Sequence, residues 1–156
     1  MPNPHHHQQQ EEPRFSGAEV NLVLHATEDR EKVLAAVEAA LGVSGFEEEA
    51  SEGHFGNRIL LLRANVANSR QAGELFARIA SALNSPDRQH LADYIDEYSD
   101  ERGNLYLRLD KQRLCSNGRV ALAESDAVRI KFKPVRRYQP SGNVSSYRGL
   151  FSSSTG

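Results

Sequence analysis

Residues 104–110 (NLYLRLD) and 128–133 (VRIKFK) decide the fold, because apolar and polar residues alternate strictly along both stretches. Successive side chains of a β-strand point to opposite faces of its sheet. The leucines of the first stretch therefore point into a core, and its polar residues point away from it: Asn104, Tyr106, Arg108 and Asp110. The second stretch directs a row of cations away from the core in the same manner: Arg129, Lys131 and Lys133. Both stretches are predicted strands with one buried and one polar face.

The preceding sequence contains further strand and helix patterns. Residues 20–24 alternate as a strand, and residues 45–50 (GFEEEA) form a weaker strand candidate. Residues 59–66 form a nearly continuous apolar run, which predicts a central strand. Helical spacing of apolar residues begins after these capping signals: Thr27, Asn68 or Ser69, and Ser85-Pro86. The predicted order is strand, helix, strand, strand, helix, helix, strand, strand.

This order places the domain in the α+β class. Strands do not alternate regularly with helices, which disfavours a doubly wound parallel sheet. The pattern instead favours one mostly antiparallel sheet with helices packed on one face. The other face of such a sheet is in contact with water, and the polar residues of each strand lie there.

Composition divides the chain into three parts. Residues 1–15 contain prolines and a glutamine run with almost nothing to bury, so we predict a disordered leader. Residues 16–134 carry the periodic patterns and are predicted to form a single domain. Residues 135–156 are rich in Ser, Gly, Tyr and Arg, which predicts a basic, aromatic and flexible tail.

Composition also excludes several classes of protein and site. Lys and Arg total 19 and Asp and Glu total 21, so a net charge of −2 provides no global field that attracts nucleic acid or membrane. The single Cys115 excludes a disulfide framework and a cysteine-based zinc site. No apolar stretch approaches the length of a membrane span, and no metal or cofactor is expected. We expect a soluble, cytoplasmic protein.

The cations of the last strands indicate an RNA contact. Alternate residues of a strand lie about 7 Å apart, so a row of cations can follow a phosphate backbone while Tyr106 stacks on a base. No acidic residue follows Asp126, and Arg136 and Arg137 extend the positive charge into the tail. Two other interpretations remain open: a solvated edge strand, in which lysine prevents aggregation, and a protein-binding surface.

Two segments together resemble a known family. Residues 54–57 (HFGN) lead into RILLLRANV, and residues 107–112 (LRLDKQ) precede the basic strand. Over about residues 18–133 the chain resembles an archaeal family of small RNA-binding proteins described as predicted exosome subunits. The resemblance implies a fold similar to that of the large-subunit ribosomal protein that binds five-S RNA, and RNA binding without known catalysis. The matching motif positions are expected to be site or scaffold: His54, Gly56, Asn57, Arg108, Asp110, Lys111 and Gln112.

We therefore expect a non-catalytic RNA-binding protein that acts in RNA processing or degradation, or near the ribosome. Its expected partners are RNA and exosome or ribosomal components. The residues expected to contact RNA are Tyr106, Arg108, Lys111, Arg129, Lys131, Lys133, Arg136, Arg137, His54 and Asn57. The alternatives are an interaction module of a larger assembly without direct RNA contact, and an enzyme that uses His54 with nearby carboxylates as acid and base.

Overall fold

A computed structural model of the chain describes residues 15–53, 56–135 and 147–151. Its strands are β1 (Phe15–His25), β2 (Glu47–Glu52), β3 (Arg58–Val66), β4 (Leu105–Asp110) and β5 (Ala127–Pro134). Its helices are α1 (Arg30–Leu41), α2 (Ser69–Ala82), α3 (Ser85–Asp93) and α4 (Lys111–Asn117). A short 3₁₀ helix, Ile95–Tyr98, follows α3, and residues 147–151 form one further helical turn, α5.

The strands form one sheet with the order β2-β3-β1-β5-β4, and every neighbouring pair is antiparallel. This confirms the α+β class and the predicted order of strands and helices. β1 is the central strand, β3 and β5 are interior strands, and β2 and β4 form the two edges. The apolar run of β3 thus belongs to an interior strand beside the centre of the sheet.

Side-chain caps explain where the helices begin and end. The Asp29 carboxylate accepts hydrogen bonds from the backbone N–H groups of Glu31 and Lys32 at the start of α1. Gly42 ends this helix in the left-handed region, at φ 71°, where glycine is favoured. Asp110 caps α4, a helix of seven residues that lies between the last two strands in addition to the predicted elements. Its apolar pattern is too short to be distinguished from a turn in the sequence.

The helices cover one face of the sheet. Along β1 the buried side chains of Ala18, Val20, Leu22 and Leu24 alternate with more accessible ones. The buried set packs in one cluster with apolar residues of α1 and α2: Val33, Val37, Leu41, Ala72, Leu75, Phe76 and Ile79. We call the opposite side, which carries the alternate residues of each strand, the open face.

An aromatic cluster joins both ends of the described chain to the core. The Phe15 ring centroid lies 5.3 Å from that of Phe76, 4.9 Å from that of Phe132 and 5.6 Å from that of Tyr147. Phe151 packs at 5.2 Å from Phe76. Tyr147 and Phe151 are each only 2% exposed.

This cluster corrects two predicted boundaries. Composition places Phe15 in the leader, but this residue begins β1 and is 2% exposed in the core. Composition places residues 147–151 in a flexible tail, but their two aromatic side chains pack in the core cluster and bury apolar area there. Residues 1–14, 136–146 and 152–156 lie outside the described residues, so the expectations for them stay predictions. None of the helices that the structure describes is both long enough and apolar enough to cross a bilayer.

The packing of Tyr147 predicts a large effect of substitution. Besides its ring contacts, the Tyr147 hydroxyl donates a hydrogen bond of 2.6 Å to the Gly103 carbonyl. Tyr147→Ala removes the ring and leaves a cavity, so the free energy of unfolding falls by about 3–5 kcal/mol. Urea denaturation followed by circular dichroism measures it. Tyr94→Ala is the control, because Tyr94 is 49% exposed. Equal midpoints for the two variants would contradict the packing of α5.

Candidate nucleic-acid interface

The strand register assembles a cationic surface on the open face. Arg108 on β4 lies directly opposite Arg129 on β5, and Arg129 lies opposite Asn21 on β1. Asn21 in turn lies opposite Arg63 on β3, so one row across four strands carries three arginines. The same face carries Lys131 and Lys133 on β5. We call this set the cationic face: Arg63, Arg108, Arg129, Lys131 and Lys133.

The strand order argues against the interpretation of these cations as protection of a sheet edge. Lysine and arginine often protect the edge of a sheet from aggregation. β5, however, is paired with β1 on one side and with β4 on the other, so its cations do not lie on an edge strand. Protection against edge-to-edge pairing therefore does not explain Arg129, Lys131 or Lys133.

Arg129 is an exposed cation whose neighbour repels it. Arg108 lies directly opposite, and like charges in that position destabilise a sheet. The Arg108 side chain donates a hydrogen bond of 2.9 Å to the Ser125 carbonyl, whereas the Arg129 guanidinium has no hydrogen-bond or ion-pair partner among the residues that the structure describes. An anion between the two guanidinium groups would relieve this repulsion.

Tyr106 lies beside the cationic face and is anchored there. Its hydroxyl donates a hydrogen bond of 2.7 Å to Asp100, and the residue is 39% exposed. Burial alone would raise the pKa of Asp100, but hydrogen bonds from Asn104 and Tyr106 outweigh this effect and lower the pKa to about 2. The Lys131 ammonium lies 5.8 Å from the Tyr106 ring centroid, within the range of a cation–π contact. The predicted base stacking on Tyr106 stays a prediction.

One cation of the face is already paired. The Lys133 ammonium lies 2.6 Å from the Glu19 carboxylate of β1. The hydrogen bond from Lys133 outweighs partial burial and, with the charges of Lys131 and Arg63, lowers the pKa of Glu19. Glu19 therefore stays ionised at neutral pH and offsets part of the charge of Lys133. Glu19 also lies directly opposite Lys131 on β5, so Arg108 and Arg129 carry the stronger attraction for an anion.

Lys111 was predicted to contact RNA, and this prediction is wrong. Its side chain is 0% exposed. The ammonium donates to the Val23 carbonyl at 2.7 Å and to Glu28 at 2.8 Å, and it lies 3.1 Å from Asp126. A buried ammonium requires acceptors on all sides. Lys111, the first residue of α4, binds acceptors at the end of β1 and next to the start of β5, and thus joins these two segments. Lys111 is scaffold.

The Lys111 ammonium also lies within a group of side chains that could bind a metal ion. The side chains of His25, Glu28 and Asp126 approach one another closely enough to hold an ion. Lys111 already supplies the positive charge between the two carboxylates, so a divalent cation would have to compete with a covalently tethered one. We therefore assign no metal role to this group.

The remaining predicted contact residues are Asn57, His54, Arg136 and Arg137, and their RNA contacts stay predictions. Asn57 is exposed in the β2–β3 turn, where its carbonyl accepts a hydrogen bond of 2.6 Å from the Gly53 N–H. His54, Arg136 and Arg137 lie outside the described residues, and their roles stay predictions.

Sequence reasoning missed several residues of the open face. Arg63, Val23 and Leu61 all lie there, and the latter two form a directly opposed, half-buried apolar pair. A signal for them exists in the sequence. A strand covered on one face alternates, but residues 59–62 (ILLL) do not, so some of these side chains must lie on the uncovered side.

The comparisons with known proteins identify the family. The sequence model of a family described as RNA binding matches residues 18–134. This chain belongs to that RNA-binding family. The match covers the domain from β1 to the end of β5 and confirms the resemblance that the sequence motifs indicate.

Relatives support this assignment. The chain is 36% identical over 123 residues to a protein of Pyrococcus abyssi named RNA-binding protein PAB1135, which covers 73% of this chain and 79% of that protein. It is similar to the structure of Mth689, a DUF54 protein from Methanothermobacter thermautotrophicus, with 28% identity and a TM-score of 0.74 over 88% of this chain and 98% of that one. A DUF54 protein of Archaeoglobus fulgidus shares the fold, with 24% identity and a TM-score of 0.76 over 88% of this chain and 99% of that one.

The scaffold role of Lys111 predicts a loss of stability on substitution. Lys111→Met removes the ammonium from Glu28, Asp126 and the Val23 carbonyl, so the free energy of unfolding at neutral pH falls by about 3 kcal/mol. Urea denaturation measures it, with Lys32→Met, an exposed substitution on α1, as the control.

Acid should reduce the difference in unfolding free energy between the parent protein and Lys111→Met. Burial would raise the pKa of Glu28, but hydrogen bonds from the His25 N–H and Lys111 outweigh it and lower the pKa below its usual 4.5. The stabilisation is therefore present above pH 4.5 and is lost as pH falls through the lowered pKa. A difference between the two proteins that grows in acid would contradict the assigned ion pair.

Proposed function

We propose that this protein binds RNA directly through the cationic face, with Arg108, Arg129 and Lys131 on phosphates. The observation that carries the proposal is the position of Arg129, exposed on an interior strand and opposed by Arg108 without an acidic partner among the described residues. Membership of the RNA-binding family and the name of the Pyrococcus relative support RNA as the anion.

The geometry of the face suits a flexible polyanion. Cations on one strand lie about 7 Å apart, and those on neighbouring strands lie about 5 Å apart, so one phosphate can contact guanidinium groups of two strands. Arginine suits this role because its planar guanidinium donates two parallel hydrogen bonds to a phosphate. Tyr106 adds an aromatic surface at the edge of the same region.

The proposed role is non-catalytic. The cationic face offers positive charge and hydrogen-bond donors, which bind a backbone but do not transfer protons at neutral pH. Burial raises the pKa of the Cys115 thiol, which therefore stays protonated and weakly nucleophilic.

We also propose that the bound RNA is a substrate or product of RNA-processing or RNA-degrading machinery in the cytoplasm. The exosome and the ribosome are the assemblies concerned. The resemblance of the sequence motifs to a family described as predicted exosome subunits supports this second proposal. The family membership itself fits either assembly.

Neutral substitution of two cations tests the proposal. Arg129→Gln with Lys131→Gln removes two phosphate contacts, so single-stranded RNA binds about twentyfold more weakly near 0.1 M salt. The slope of log K against log salt should change from about −2.1 for the three contacts to about −0.7 for the one that remains. Fluorescence anisotropy at several salt concentrations measures both quantities.

A matched control separates this effect from a general loss of charge. Lys32→Gln with Arg70→Gln removes the same charge from the exposed surface of α1 and α2. We expect the RNA affinity of the control to stay within about twofold of the parent protein, since these cations lie on the covered side of the sheet. If both double variants bind RNA equally well, the cationic face is not the RNA site, and a protein partner becomes its better-supported ligand.

A further inference from the structure

A depression lies on the open face next to the row of arginines. Its volume is about 430 Å³, within the range of about 300–1,000 Å³ in which small ligands bind. Its walls come from β1, β3, β5 and the segment that precedes β5, and they include Asn21, Val23, Leu61, Arg63, Asp126 and Arg129. The opposed side chains of Val23 and Leu61 supply its apolar surface.

The two ends of the depression differ in charge. At one end Arg129 and Arg63 flank Asn21, whose side-chain oxygen accepts a hydrogen bond of 3.1 Å from Arg63 Nε. The other end contains His25 and the Asp126 carboxylate, which is bound to Lys111 and Gln112. An anionic group is therefore attracted to the arginine end and repelled from the Asp126 end.

A nucleotide has the same polarity. Its phosphate is anionic, and its base combines an apolar face with hydrogen-bonding edges. Val23 and Leu61 can contact the base face, and Asn21 and Ser125 are polar groups at its rim. The distribution of charge and apolar area thus matches a phosphate at the arginine end and a base beyond it.

We propose that this depression receives one unstacked base of a single-stranded RNA, with the adjoining phosphate between Arg63 and Arg129. The inference rests on the proposed function and adds the class of RNA that the face selects. A base in a duplex is paired and stacked and cannot turn its face onto Val23 and Leu61. The depression therefore favours single strands, loops or ends over continuous duplex RNA.

The base contact is tested by removing bases without removing phosphates. A mixed-sequence single strand is compared with a fully abasic ribose-phosphate strand of equal length and with a duplex of the same sequence. The parent protein is expected to bind the intact strand about tenfold more tightly than the abasic strand or the duplex. Anisotropy competition at one salt concentration measures all three affinities.

Substitutions in the apolar surface of the depression test the same base contact from the protein. Leu61→Ala removes much of the apolar contact and is expected to weaken binding of the intact strand about fivefold, with no change for the abasic strand. Val23→Thr, which nearly preserves side-chain shape, is expected to act in the same direction. Leu34→Ala, at a half-buried leucine of α1, is the matched control and should bind both strands like the parent protein.

The outcomes separate the inference from the function on which it rests. Equal binding of the intact and abasic strands, or tighter binding of the duplex, would overturn the base site. The proposed function would still stand if Arg129→Gln with Lys131→Gln weakened binding of every strand. If that double variant bound all three nucleic acids like the parent protein, the proposed function itself would fail.

Discussion

One-sided coverage of the sheet is the constraint on which the rest of the structure depends. The apolar residues of the strands pack against α1 and α2, so the alternate residues of the same strands must face the other way. Antiparallel pairing then brings side chains that are distant in sequence into rows across the sheet. Arg63, Arg108 and Arg129 become neighbours for this reason, although no local motif contains them.

Lys111 shows how the scaffold maintains this arrangement. A lysine in a sequence is more often a surface cation than a buried one. Here its ammonium bonds to the Val23 carbonyl, Glu28 and Asp126, and so holds together the ends of β1 and β5 that border the depression. Sequence position alone could not distinguish these roles, because the partners lie up to 88 residues away along the chain.

The fold and four of the five residues of the cationic face follow from local patterns. Strict alternation in β4 and β5 predicts the strands, the covered face and the outward direction of Arg108, Arg129 and Lys131. The remaining features depend on register, which alternation does not specify. Glu19 meets Lys133, and Leu61 meets Val23, only because β1 pairs with β5 and β3 at particular residues. The buried positions of Phe15 and Tyr147 likewise require a shared aromatic cluster that composition does not reveal.

The most direct test of the central claim is to map the RNA contact residue by residue on the folded protein. Backbone amide chemical shifts, recorded by nuclear magnetic resonance during titration with single-stranded RNA, report which surface changes environment. We expect the largest changes along β5 and β4 and in the neighbouring parts of β1 and β3, with small changes in α1 and α2. Changes concentrated on the two helices, with the strands unaffected, would contradict the assignment of the open face to RNA.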